Sequence, residues 1–259
     1  MGLHQTLLDA AESWYRRRRA RTDASGRPRY GRRVGWWSTK LPRAASPFFP
    51  DIVWRLPPSA ATSPRRVALT FDDGPTTEGT RAILDCLDRH RVSATFFLVG
   101  ERCAAHPELV REMVARGHAI GNHTWSHVDT WLHPFPVVAD ELTRTEECLA
   151  ELTGAPPTLV RPPHGHFTAK LRAWCRERDR LLVLWDTLPA DFVPWATVAS
   201  LRTFLDRHTC DRSILVLHDS PDASETPRLL DNWLPAALDK GWTFTPLDIP
   251  QWTVASNAV

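Results

Sequence analysis

Val67-Ala68-Leu69-Thr70-Phe71-Asp72-Asp73-Gly74-Pro75 sets the fold class. Five uncharged residues lead directly into two adjacent carboxylates, and Gly74-Pro75 then enforces a turn. A short uncharged run of this kind predicts a strand buried on both faces. Carboxylates at the mouth of such a strand are costly unless a cation neutralises them. The pattern recurs along the chain, and Thr95–Val99, Thr158–Val160, Leu181–Trp185, Ser213–Leu217 and Trp242–Phe244 read as further short strands. Helical stretches lie between them. Pro107 to Arg116 starts with proline and stops at Gly117, with Leu109, Val110, Met113 and Val114 on one face. Val138 to Thr153 groups Val138, Leu142, Leu149 and Leu152 and stops at Gly154. Phe167, Leu171, Trp174 and Cys175 mark a third helix. The alternation predicts an α/β architecture with a mainly parallel sheet, and periodicity alone does not distinguish an open sheet from a barrel.

Three more segments join the carboxylates at predicted strand ends, where catalytic groups gather in α/β folds. His123-Thr124-Trp125-Ser126-His127 places two imidazoles at i and i+4, a spacing that shares one face of a helical turn and suits two ligands of one metal. Thr124 stands where zincins carry their glutamate base, so a base must come from elsewhere. One carboxylate of Asp72-Asp73 with both histidines makes a three-ligand site with open positions, and the other carboxylate is left to act as base. In Arg161-Pro162-Pro163-His164-Gly165-His166 two prolines stiffen a loop, and Arg161 is a candidate partner for a carboxylate of the first segment. Leu215-Val216-Leu217-His218-Asp219 ends an apolar strand in a histidine that, in a cleft, suits proton donation to a leaving amine.

Composition bounds the alternatives. The 259 residues are 42 % hydrophobic and 24 % charged, which fits a globular fold with a substantial core. Residues 1–50 hold eleven Lys/Arg and three Asp/Glu, net +8, while the remainder is net −6. A mildly acidic body speaks against nucleic-acid binding. Residues 1–64 therefore read as a basic, partly ordered N-terminal extension, and 65–259 as the main domain. A short amphipathic helix with Leu7, Leu8, Ala11 and Trp14 is expected before Arg16–Arg19, and an anionic membrane or polymer is the candidate partner of this arm. Trp36-Trp37 and Phe48-Phe49 are apolar enough to pack onto the body. The N-terminus shows no secretory signal, and the five cysteines (86, 103, 148, 175 and 210) are odd in number and form no CxxC pair. Free thiols in a cytoplasmic or membrane-peripheral protein are the expectation.

In this order, TFDDGP, HTWSH, RPPHG and LVLHD, with Ala94-Thr95-Phe96-Phe97 and Gly117-His118 through Asn122 between them, resemble the polysaccharide deacetylase family (NodB homology, carbohydrate esterase family four) over residues 65–248. The resemblance implies a partial (β/α) barrel, a catalytic domain over 65–259, and hydrolysis of N-acetyl or other small acyl groups on amino sugars. It implies Asp72 as base, Asp73, His123 and His127 as ligands of one divalent ion, Arg161 as the residue that holds the base, and His218 as general acid. Zinc is the expected ion, with cobalt, nickel and iron as alternatives. Asp191 is similar to the carboxylate that orients the histidine, although Phe192 replaces the family's usual tryptophan and Asp186 is a rival. His164 stands where tyrosine is usual. Its backbone N–H is the implied oxyanion donor, and Leu217 and Trp185 join it as expected substrate contacts. Trp125, Trp131, Trp185 and Trp195 are candidates for a sugar-stacking platform, with core packing the competing reading. A catalytically silent carbohydrate-binding relative, a deacylase of a small non-polymeric amide and an anchoring protein led by its basic arm are the rival functions.

Overall fold

A computed structural model describes residues 34–58 and 65–247. The expected helix around Leu7 to Trp14 lies outside the described residues. The sheet consists of β1 (Ile52–Val53), β2 (Arg65–Asp72), β3 (Thr95–Leu98), β4 (Ala119–Asn122), β5 (Leu159–Val160), β6 (Leu181–Val183), β7 (Ile214–His218) and β8 (Trp242–Phe244). Its order is β1-β6-β5-β4-β3-β2-β7, all pairs parallel, with β8 pairing the first residues of β2. The sheet curves through 214° into a partial barrel. Isolated bridges draw its ends together, since Thr187, beyond β6, meets Leu215, and Arg55, beyond β1, meets Ser213.

Around it lie α1 (Val34–Ala45), α2 (Thr77–His90), α3 (Gly100–Ala105), α4 (Pro107–Ala115), α5 (Phe135–Thr153), α6 (Ala169–Glu177), α7 (Val198–His208) and α8 (Thr226–Asp239). Strand alternation divides the core in two. Val67, Leu69 and Phe71 of β2 point outward with Leu215 and Leu217 of β7, packing with Leu84, Leu87, Leu230 and Trp233 of the helices. Ala68 of β2 faces inward with Ile214 and Val216, and shares the interior with Phe97, Val183 and Trp185. Because Phe71 pairs with Leu217 and Asp72 with His218, the last residues of β2 and β7 both present their functional groups inward.

The segment before residue 65 contributes to this body. β1 is the outer strand, and Phe49, Trp54 and Leu56 belong to the inner core. Thr39 is fully buried, its hydroxyl accepting the Leu188 N–H at 3.1 Å, and Arg43 donates to the carbonyls of Asp186 and His208 at 3.1 and 2.7 Å. All five cysteines are unpaired. Among the described residues no helix is long and apolar enough to cross a membrane.

Strand β4 has no β-branched or aromatic run to announce it, and its composition has a packing cause. A Cβ on Gly121 would lie 2.5 Å from Cδ1 of Phe97, so a side chain there collides with the ring on the neighbouring strand. Asn122 is buried because its side chain serves the loop that follows. Gly121→Ala is expected to cost about 1–3 kcal/mol by overpacking. Thermal unfolding should show it as a lowering of Tm by several degrees; an unchanged Tm would contradict the packing described.

Candidate active site

The two adjacent carboxylates leave β2 in different directions. Asp72 keeps the inward direction of the strand, is buried, and its Oδ1 accepts from Nη1 of Arg161 at 2.6 Å. Asp73 has φ 79°, in the left-handed region, and this turns its carboxylate towards the loop after β4. Gly74 follows because nothing larger fits. An added Cβ would lie 1.9 Å from Oδ2 of Asp219. Asp219 locks the turn: its N–H donates to the Asp72 carbonyl (3.2 Å), its own carbonyl accepts from Thr76 Oγ1 (2.6 Å), and its Oδ2 accepts from Thr80 Oγ1 (2.6 Å). Burial pushes the Asp219 carboxyl up to about 7 against the opposing Thr80 hydrogen bond.

His123 and His127 do converge, but not on a helical turn as their spacing suggests. Thr124 and His127 have φ values of 66° and 59°, and the segment is an irregular loop. Asn122 fixes its start, taking the Thr124 N–H on Oδ1 at 2.9 Å and donating Nδ2 to the Leu142 carbonyl at 2.8 Å. Nε2 of His123 and Nε2 of His127 stand 3.4 and 3.1 Å from Oδ1 of Asp73, with all three ligand atoms within 4.8 Å of one another. Nδ1 of His123 lies 2.7 Å from the Arg161 carbonyl, which only accepts, so Nδ1 carries the proton and Nε2 the lone pair. An imidazole lone pair and a carboxylate oxygen that face each other need a cation between them. One carboxylate and two imidazoles with room for further ligands fit a first-row divalent ion. Burial would raise the Asp73 carboxyl, but the neighbouring His123 and His127 imidazoles hold it well below the usual range.

Arg161 is fully buried. Nη1 also donates to Thr70 Oγ1 at 2.8 Å, Nη2 to the Leu184 carbonyl at 3.2 Å and Nε to the Val183 carbonyl at 3.4 Å, while the guanidinium carbon rests 3.9 Å from the centre of the Phe97 ring. Across the inner face, Nδ1 of His218 donates to Asp191 Oδ1 at 2.8 Å, and the His218 N–H donates to Asp191 Oδ2 at the same distance. Thr226 Oγ1 donates to that second oxygen at 2.6 Å. Burial opposes a charge on His218, but Asp191, with smaller help from Asp73 and Asp72, raises it to about 9. Asp186, the rival, is engaged elsewhere. It takes Arg43 and Arg55 at 3.3 and 3.2 Å and the Ile214 N–H at 3.1 Å.

His164 forms the apex of a tight turn, Pro163–Gly165, with φ 60°, and its exposed ring lies edge-on to His127 at 5.0 Å. Trp185 is buried with its ring 5.9 Å from the Arg161 guanidinium. Leu217 is not a substrate contact. It is fully buried and packs outward against the helices, one residue out of phase with the inward positions of β7. Of the other tryptophans, Trp125 lies under Arg144, Trp131 stacks on His166, and Trp195 is exposed. Thr70 and Asp219 lie within the TFDDGP and LVLHD segments, which give neither of them a role, and Thr226 lies in no motif; contact with Arg161, Gly74 and Asp191 sets these three apart.

The comparisons with known proteins agree with this geometry. The family model described as polysaccharide deacetylase matches residues 59–179. The chain is 35 % identical to the peptidoglycan-N-acetylglucosamine deacetylase of Bacillus cereus, over 70 % of this chain and 66 % of that one. It is also 35 % identical to the chitooligosaccharide deacetylase of a Bradyrhizobium species, over 71 % of this chain and 89 % of the relative. The crystal structure of a peptidoglycan N-acetylglucosamine deacetylase bound to 4-naphthalen-1-yl-N-hydroxybenzamide superposes with a TM-score of 0.73 at 30 % identity, covering 78 % of this chain and 94 % of that one. The chain spans 66 % or less of the length of the first peptidoglycan deacetylases it matches. A curved parallel sheet, a carboxylate turned beside two histidines, and these matches along most of the chain place it in the polysaccharide deacetylase family, carbohydrate esterase family four.

Proposed function

We propose that the protein is a metal-dependent amide hydrolase that removes N-acetyl groups from the amino sugars of a glycan. One observation carries the reading: beside the Asp73–His123–His127 ligand set, Asp72 on Arg161 and His218 on Asp191 occupy paired positions of adjacent strands. A base and an acid are thus presented to the same small volume. Asp73, His123 and His127 would hold the ion, which when bound supplies Lewis-acid polarisation of the acyl oxygen and a more acidic water.

The chain's own groups supply the rest. Asp72 accepts the proton of the attacking water, and Arg161 keeps that carboxylate aimed. The N–H of His164, at its left-handed apex, donates to the oxygen on which charge develops. His218, its Nδ1 committed to Asp191, gives the Nε2 proton to the departing amine, which is a poor leaving group as an anion. A histidine held near 9 is protonated at neutral pH, as an acid must be. The relatives' names point to N-acetylated oligomers of the peptidoglycan or chitin type as substrates. The net +8 of residues 1–50 supports contact of the arm with an anionic surface at the membrane. Retention of base, acid and all three ligands speaks against a silent carbohydrate-binding protein.

Acetate release from chitooligosaccharides, measured beside the metal content of the purified protein, tests the assignment. His218→Ala is expected to keep the metal and lose about 10²–10⁴-fold in kcat, whereas Asp73→Ala loses the metal. Equal metal content in the two variants would contradict the roles. The pH profile gives a second check. Because the His218 value is raised, its contribution to stability is complete below its ordinary value of 6.5 and is lost as pH rises through about 9. Activity needs the protonated form, so kcat should fall over the same upper range. Asp191→Asn is expected to move that basic limb down by about 1 pH unit or more; an unmoved limb would exclude His218 as the acid.

A further inference from the structure

Two loops meet at the rim of the site, one carrying His127 and the other His164. Their contact is built two residues further along each. Asp129 is buried, and its Oδ1 accepts from Nδ1 of His166 at 2.9 Å and from the Trp131 N–H at 3.0 Å. Thr130 Oγ1 donates to the His166 carbonyl, and Trp131 Nε1 donates to the Phe167 carbonyl at 2.9 Å. The Trp131 and His166 rings stack at 3.9 Å with 6° between their planes. His133 Nδ1 holds the Asp129 carbonyl at 3.0 Å, closing the first loop on itself. Residues 129–131 thus grip residues 166 and 167 by three hydrogen bonds and a ring stack.

The placement matters because of what each loop carries. His164 has a left-handed backbone that costs about 1–2 kcal/mol in a residue with a Cβ, and such a conformation persists only when its surroundings over-determine it. The prolines at 162 and 163 restrain one side of this residue. The grip on His166 restrains the other, and it does so from the segment that carries His127.

We infer that Asp129 and His166 are positioning residues, a latch that fixes the His164 N–H relative to the imidazole of His127. The inference rests on the proposed deacetylase reaction, in which the His164 N–H and the ion that His127 would help to hold act on the same acyl oxygen. Neither residue of the latch touches the reacting atoms. Its effect belongs in kcat, since misplacing an oxyanion donor by about 1 Å costs up to 10²-fold while leaving sugar binding in place.

The test compares His166→Phe, which retains a ring for Trp131 and removes the bond to Asp129, with His166→Asn, whose amide nitrogen restores a donor close to the Nδ1 position. Steady-state acetate release, metal content and amide hydrogen exchange of residues 161–168 are measured on the metal-loaded full chain. H166F is expected to lose about 10–100-fold in kcat with metal content unchanged and KM within about threefold of wild type. Exchange of the 161–168 amides should accelerate by about tenfold or more. H166N should recover most of both. A kcat within about threefold of wild type in H166F, or exchange that stays at the wild-type rate, overturns the latch. Loss of metal together with kcat overturns it as well, because the residue then serves the ligand set. If H166F fails to fold, Thr130→Val removes a neighbouring bond of the same grip and should act in the same directions at about 3–10-fold. If the metal-loaded wild type releases no acetate from any glycan, the proposed function fails. Exchange alone then decides the latch, and an unchanged rate in H166F rejects it.

Discussion

The buried Arg161 guanidinium governs the interior of this protein. Removing such an ion from water costs several kcal/mol even after relaxation, and only good geometry offsets it. Here Asp72, the Thr70 hydroxyl, two strand-end carbonyls and the face of Phe97 all converge on it. The consequences reach both halves of the site. The side chain of Arg161 holds Asp72 on the inner face, and its main-chain carbonyl fixes the tautomer of His123. Gly121 belongs to the same arrangement, since its missing side chain leaves room for the ring on which the guanidinium rests. One buried cation therefore couples Asp72, the proposed base, to His123, a proposed metal ligand, through packing as well as through charge.

Two adjacent aspartates face different groups because the backbone separates them. Asp72 ends a strand and inherits its inward direction, while Asp73 is turned by a left-handed φ. Among the described residues eight non-glycine positions have positive φ, and five of them (Asp73, Thr124, His127, His164 and Ala190) lie at or beside functional groups. Conformational strain is thus concentrated on the loops at the carboxyl ends of the strands, where the hydrogen bonds of Asn122, Asp219 and the Asp129–His166 pair hold it in place.

The parallel α/β architecture was legible in the short uncharged runs, because strands buried on both faces leave that mark. Strand β4 was not, since its composition answers to Phe97 and to the loop after it instead of to β propensity. Strand β1 lay hidden in a segment whose charge belongs to the residues before it. The candidate ligand triad was legible as residue types and spacing, but the reason given by spacing, a shared helical face, is replaced by a loop with two left-handed residues. Leu217 shows the limit of motif reading: it sits next to His218 in sequence, and strand alternation sends it to the opposite face. The choice between Asp186 and Asp191 likewise depended on the three-dimensional positions of Arg43, Arg55 and Thr226, which no local pattern carries.

The division of labour between Asp72 and Asp73 is most directly tested by anomalous diffraction at the metal edge from crystals of the metal-loaded protein. A single peak is expected, bound by Asp73, His123 and His127 at about 2.0–2.2 Å, with Asp72 outside the ligand set and still paired with Arg161. A peak ligated by Asp72, or one that excludes either histidine, would contradict the assignment of base and ligands on which the mechanism stands.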